Sequence, residues 1–230
     1  MTLTALKTHF RISLATLFSA EEIEEIFYLL LSENENLSRL EFVIKRAQGV
    51  KNADVWHRQL NRLMTGEPVQ YILNRAHFWE MNLIVNSNVL IPRPETEELV
   101  HLIIKDLNHS EKFEILDIGT GSGCIALALK KELPNARVQG LDVSSAAIEV
   151  AIENATEQKL EKEWITEDIA SYETSKKYDI IVSNPPYIPV SDKTEMANNV
   201  LDFEPHLALF APDNDPLFFY KKIGDFAANH

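Results

Sequence analysis

From residue 113 onward the chain alternates short apolar runs with helical periodicity, and this alternation limits the fold more than any other feature. Phe113–Asp117, Arg137–Leu141, Glu163–Thr166 and Tyr178–Val182 read as strands, the third weak and the fourth strong. Cys124–Leu133, a stretch capped by Ser144 or Ser145 and running to about Gln158, and Asp215–Ala228 read as helices. Strands separated by helices predict a parallel sheet with right-handed crossovers. In such sheets ligands are found beyond the carboxyl ends of the strands, so the residues just after each strand are where chemistry is expected.

Three of those positions stand out. Asp117-Ile118-Gly119-Thr120-Gly121-Ser122-Gly123 joins the first strand to its helix. Glycines there permit a tight turn and let a ligand lie against bare backbone. A dinucleotide fingerprint needs glycine at position 124, where this chain has Cys124, so the spacing suits a nucleoside-bearing ligand without a pyrophosphate, such as S-adenosylmethionine. Asp142 ends the next strand, where a carboxylate can accept from ribose hydroxyls. Asp168 follows the third, either accepting from an adenine amino group, with Ile169 packed on the ring, or simply capping a helix. The fourth strand runs into Asn184-Pro185-Pro186-Tyr187, and prolines, lacking the ladder N–H, force the chain out of the sheet in a stiff turn. That turn presents one amide side chain and one backbone carbonyl.

The first 66 residues read as a small helical bundle. Leu3, Leu6, Phe10, Leu14 and Leu17 recur at helical spacing. Ser19 caps a second helix, Ser38 with Glu41 forms a capping box, and a fourth helix runs from about Asn52 to Met64, stopped by Gly66 and Pro68. Residues 67–91, rich in β-branched and aromatic side chains, are expected to form a hairpin linker that includes Val69–Leu73, with Asn74, Asn82 and Asn86 as turn residues. Pro94 opens a further helix whose buried face includes Leu99, Val100, Ile103, Ile104 and Leu107. Residues 189–212 show no period and read as a long loop. The expected organisation is therefore 1–66, 67–91 and 92–230.

Forty-five per cent of the 230 residues are hydrophobic, enough for a proper core, yet no apolar run approaches the roughly 20 residues of a membrane span. The start has no signal-peptide pattern, and a single cysteine excludes an internal disulfide framework. A soluble cytoplasmic protein is expected. The net charge of −13 argues against broad binding to a phosphate backbone. It is uneven: residues 1–80 hold 9 basic against 10 acidic side chains, and residues 81–230 hold 13 against 25. The seven histidines show no ligand spacing, so no metal site is expected.

Taken together, Gly66-Glu67-Pro68-Val69-Gln70-Tyr71-Ile72, Ile91-Pro92-Arg93-Pro94-Glu95-Thr96-Glu97, the Asp117–Gly123 loop, Asn184-Pro185-Pro186-Tyr187 and Phe203-Glu204-Pro205 resemble the protein-glutamine N5-methyltransferases that modify peptide chain release factors. The resemblance spans about residues 66 to 223; the segment before it is similar to that family's substrate-docking domain in layout. It implies an α/β fold with a Rossmann-like class I methyltransferase domain, S-adenosylmethionine as methyl donor with S-adenosylhomocysteine as product, and release factors as protein substrates. By the same resemblance Gly119, Thr120, Gly121, Ser122, Gly123, Asp142, Asp168, Ile169 and Asn184 contact the cofactor, and Asn184, Pro185, Pro186 and Tyr187 the substrate glutamine. An amide nitrogen is a poor nucleophile. Acceptance of its two N–H groups by the Asn184 side-chain oxygen and the Pro185 carbonyl would orient it, with Tyr187 packed on the amide plane.

The chain departs from that family in two places. Relatives continue beyond the last helix into a further strand and an antiparallel pair, so the resemblance implies a chain without its C-terminal strands and with the Tyr178–Val182 strand at an open edge. Asp213-Asn214-Asp215-Pro216 replaces a glycine-containing turn. Arg93 and Glu95 either line the site entrance or fix the turn and helix start, and Glu204 is a candidate for positioning the loop after Tyr187. Two other readings remain at this level: an adenine-N6 or guanine-N2 nucleic-acid methyltransferase, because an exocyclic amine suits the same turn, and a chain that binds cofactor without turnover.

Overall fold

The computed structural model describes residues 1–105, 107–160 and 163–230. It divides into Met1–Leu73 and Asn74–His230, so the hairpin belongs with the second unit and is not a separate linker.

The first unit holds helices α1 (Leu3–Leu14), α2 (Ala20–Glu35), α3 (Arg39–Lys45), α4 (Ala53–Leu63) and α5 (Val69–Leu73). Ser19 and Ser38 each close a full capping box, with Glu22 and Glu41 returning a bond to the cap backbone. Phe10, Phe27 and Trp56 pack at its centre, Phe27 stacked on Trp56 at 5.7 Å. Glu35 is buried beside them, and its carboxylate accepts from Trp56 Nε1 and the Lys51 amide. Two expectations change here. Leu17 lies past the end of α1 and is exposed. Val69–Leu73 is a helical turn and not a strand: the amides of Tyr71 and Ile72 return to the Pro68 carbonyl, and Val69 and Ile72 bury their side chains in the helical core. Burial overrides the β propensity of this stretch.

The second unit begins with an antiparallel hairpin, β1 (Arg75–Phe78) and β2 (Met81–Ile84). Its turn residues Trp79 and Glu80 both have positive φ, the geometry of a two-residue hairpin turn but without glycine or asparagine. Trp79 is held there by two carboxylates, its amide donating to Glu97 and its indole N–H to Glu132. Asn74 also takes positive φ, whereas Asn82 lies inside β2 rather than in a turn.

After α6 (Pro94–Lys105), strands β3 (Glu114–Ile118), β4 (Arg137–Asp142), β5 (Trp164–Thr166) and β6 (Ile180–Ser183) form a fully parallel sheet in the order β5-β4-β3-β6, with helices α7 (Cys124–Glu132) and α8 (Ser145–Gln158) in the crossovers. Adjacent residues of β3 serve opposite faces. Ile115 packs with Val100 of α6 and Leu129 of α7, whereas Leu116 packs with Leu141 and with Phe226 of the last helix. β6 is an edge strand beside which the amide of Tyr178 reaches the His230 carbonyl.

Residues 188–211 are not an unstructured loop. β7 (Ile188–Pro189) pairs in parallel with β8 (Phe210–Ala211), and a 3₁₀ segment (Val190–Glu195) and helices α9 (Asn198–Phe203) and α10 (His206–Leu209) lie between them. This strap leads to α11 (Phe218–Asn229). Among the described residues no helix is long and apolar enough to cross a membrane.

Candidate active site

Because all four strands of the sheet run the same way, their carboxyl ends bring the Gly loop, Asp142, Asp168 and Asn184 to one side. A cleft of about 350 Å³ opens there, within the size range of small-molecule sites. Gly119, Gly121, Asp142, Asp168, Ile169, Asn184, Pro185 and Pro186 all line it.

The Gly loop is stapled to its neighbour strand. The amides of Gly119 and Thr120 both donate to the Leu141 carbonyl, and the Gly121 amide donates to Asp142 Oδ2 at 2.9 Å. Gly119 and Gly121 have positive φ and nothing within 4 Å of where a Cβ would stand, so side chains there would project into open space beside the loop. Thr120 and Ser122, expected to contact a ligand, are instead buried, and neither they nor Gly123 line the cleft. Thr120 Oγ1 donates to Asp117 Oδ2 at 2.6 Å. Their alternation with the glycines puts bare backbone on one side of the loop and anchoring side chains on the other.

Gly140, which the sequence reading passed over, matters as much as the loop glycines. A Cβ there would stand 2.4 Å from the Trp164 ring and 2.8 Å from Thr120 Oγ1. Trp164 therefore fills the space beneath the loop only because β4 has no side chain at that point. Gly140→Ala is expected to destabilise the second unit by about 2–3 kcal/mol through overpacking. Thermal denaturation of the variant against its parent checks this; coincident melting curves would mean that Trp164 moves aside freely.

Asn154 is a second residue that sequence reasoning missed. It lies fully buried on α8. Its Oδ1 accepts from the Ile84 amide at 2.6 Å, and its Nδ2 donates to the carbonyls of Ile84 and Ser122, both at 2.9 Å. One side chain thus ties the hairpin to the Gly loop. The available signal was its place in the buried stripe of α8, between Ala151 and Ala155, where a polar residue needs partners.

Electrostatically the site is a pair of neighbouring carboxyls. Burial pushes the Asp117 carboxyl up to about 7, against the pull of the Thr120 hydroxyl and with the nearby Asp142 charge adding to the rise. Among the described residues its Oδ1 is buried without a hydrogen-bond partner. Burial also raises the Asp142 carboxyl, although the amides of Ser144 and Gly121 favour its charged form. Each Asp142 oxygen accepts one of those amides, which leaves acceptor capacity on both. Burial pushes the Cys124 thiol up to about 12, which favours its protonated form at neutral pH. Asp168 lines the cleft, and its Oδ1 accepts from the Ala170 amide in the turn that follows, where no helix forms.

The Ile91–Glu97 segment acts as a bracket around the site. Arg93 pairs with Glu204 at 2.5 Å, while the other Glu204 oxygen accepts from the Ile91 amide at 3.2 Å. Glu204 is buried, and the strap residues after it, Pro205, Leu207 and Ala208, also line the cleft. Glu97 holds the hairpin turn through Trp79, and Thr96 Oγ1 accepts from Asn184 Nδ2 at 3.2 Å. Glu95 is exposed. Arg93 therefore fixes the turn and also joins it to the strap. Tyr187 is 56% exposed and lies outside the cleft lining.

A glycine loop, a strand-end carboxylate and an Asn-Pro-Pro exit on one parallel sheet define a Rossmann-like methyltransferase domain, and residues 95–203 match the family described as Methyltransferase small domain. The chain is 44% identical to a release factor glutamine methyltransferase of Flavobacterium psychrophilum, over 97% of this chain and 81% of that protein. It is 41% identical to one from Bacteroides thetaiotaomicron (94% and 79%) and 44% identical to one from Streptococcus pneumoniae (91% and 75%). The chain belongs to the release factor glutamine methyltransferase family.

Proposed function

We propose that this protein transfers a methyl group from S-adenosylmethionine to the side-chain amide nitrogen of the glutamine in the Gly-Gly-Gln motif of peptide chain release factors. The observation that carries this reading is the single cleft that joins the Gly119–Gly121 backbone and Asp142 to the Asn184–Pro185 turn. The donor site fits the cofactor's chemistry. Bare backbone at Gly119 and Gly121 admits a ligand, Asp142 keeps free lone pairs for ribose hydroxyls, and Ile169 offers an apolar surface to a base, beside Asp168 as an acceptor. When bound, S-adenosylmethionine supplies an electrophilic sulfonium methyl.

The chain's own residues supply orientation. Asn184 Oδ1 and the Pro185 carbonyl are acceptors on a turn made stiff by two prolines, and together they take both N–H bonds of a glutamine amide. That holds the nitrogen with its lone pair free of the amide plane, and the two oxygens stabilise the positive charge that grows as it attacks. The surplus proton passes to water. Tyr187, exposed beside the turn, is available to close over a bound peptide.

The test is mass spectrometry of a release factor after incubation with the protein and S-adenosylmethionine. The expected product carries one added methyl on the glutamine of the Gly-Gly-Gln region. Methylation of DNA or RNA with none on the release factor would overturn the reading.

A further inference from the structure

Methyl transfer needs two strand ends held at one spacing. β3 runs into Gly119 and carries the donor loop, and β6 runs into Asn184 and carries the acceptor turn. The two strands are neighbours in the sheet, and Ile118 opposite Ser183 is their last pair. Backbone hydrogen bonds ordinarily fix the gap between adjacent strands. Here they run out just where the gap matters, because Pro185 and Pro186 have no N–H to give.

A side chain takes over at that point. Ser183 Oγ donates to the Ile118 carbonyl at 2.6 Å. The direction of this bond is fixed: a carbonyl oxygen can only accept, so the hydroxyl proton is committed to β3. Ser183 and Ile118 both line the cleft, as do Gly119 and Asn184, the residues that follow them. The bond thus ties the residue before the donor loop to the residue before the acceptor turn. β3 is a firm reference for it, since the Gly loop is stapled to β4 on the other side. At the amino ends of the same two strands, Asp179 makes the corresponding tie. Its amide donates to the Glu114 carbonyl and its Oδ2 accepts from the Glu114 amide, both at 2.8 Å. A shift of about 1 Å between reacting groups can cost on the order of 10²-fold in rate, so a smaller relaxation of this gap costs severalfold.

We propose that Ser183 is a positioning residue for methyl transfer: its hydroxyl fixes the gap between the donor loop on β3 and the acceptor turn on β6. This rests on the function proposed above and adds to it the contact that holds the two halves of the site together.

Ser183→Ala removes the hydroxyl, and single-turnover methyl transfer to a release factor at saturating S-adenosylmethionine tests it. The rate constant falls about threefold to tenfold. S-adenosylhomocysteine affinity by isothermal titration stays at the parent value, and the melting temperature falls by no more than the loss of one hydrogen bond explains. Ser183→Thr and Ser183→Val share one shape and differ only in the hydroxyl, so the threonine variant transfers methyl faster than the valine variant by the same factor. A packing role predicts equal rates for those two. A purely stabilising role predicts parental rates in every variant at a temperature where each is folded. Either result overturns the proposal. Should neither branched variant fold, Ser183→Ala decides the question, and its transfer at the parental rate is then the overturning result. A parent protein that transfers no methyl to the release factor would refute the function beneath this inference, a result distinct from any difference among the variants.

Discussion

Asn184→Ala lowers methyl transfer about 10²–10³-fold, the effect of deleting one preorganised polar group aimed at developing charge. S-adenosylhomocysteine affinity and the melting temperature change little. The asymmetry follows from where Asn184 stands. Among the described residues its side chain makes one hydrogen bond, to Thr96, and it is an exposed residue just after β6, so the fold loses little with it. The donor side of the cleft is built from Gly119, Gly121 and Asp142, which are stapled to β4 independently. What disappears is one of two acceptors for the nitrogen, and with it the alignment that makes a weak nucleophile reactive. Isothermal titration with S-adenosylhomocysteine and single-turnover transfer to a release factor separate the two effects. Transfer at the parent rate would refute the orienting role, and lost cofactor binding would reassign Asn184 to the donor site.

Arg93→Met destabilises the second unit by about 2 kcal/mol, a value set below the usual penalty for stranding a buried charge because Arg93 is itself partly open to solvent. The side chain of Glu204 is 2% exposed, against 38% for Arg93. Removing the arginine therefore strands a buried carboxylate with only the Ile91 amide, whereas removing the glutamate leaves a cation that water can reach. Glu204→Gln, which keeps an acceptor for Ile91 and removes the charge, should be milder than Arg93→Met. Adding it to Arg93→Met should recover part of the loss, because neighbouring partners do not behave additively. The consequence also reaches the cleft, since Glu204 anchors the strap carrying Pro205, Leu207 and Ala208; KM for S-adenosylmethionine rises in Arg93→Met. Thermal melts of the single and double variants check the order. A double variant less stable than Arg93→Met alone would contradict the argument.

Much of the site was legible because its grammar is local. A glycine loop after an apolar strand, an aspartate at the next strand's end, and two prolines that cannot extend a ladder each declare their role within a few residues. The capping boxes at Ser19 and Ser38 were legible for the same reason. Val69–Leu73 was misread because its side chains favour strands in isolation, while its burial in the helical core favours a turn of helix. The strap at 188–211 looked structureless because its closure is a two-residue pairing between segments more than twenty positions apart, which leaves no period to detect.

The sequence by itself determined the parallel sheet, the cleft at its carboxyl ends and the turn that ends in Asn184. These follow from strand and helix periodicity and from the missing N–H of proline, which act over short stretches of chain. Only the tertiary structure decided which side chains serve the site from a distance. Thr96 meets Asn184, Arg93 meets Glu204, Asn154 ties the hairpin to the Gly loop, and Gly140 makes room for Trp164. Each depends on groups far apart in sequence coming within hydrogen-bond or van der Waals range. That distance is set by how the layers pack, not by any local preference of the residues involved.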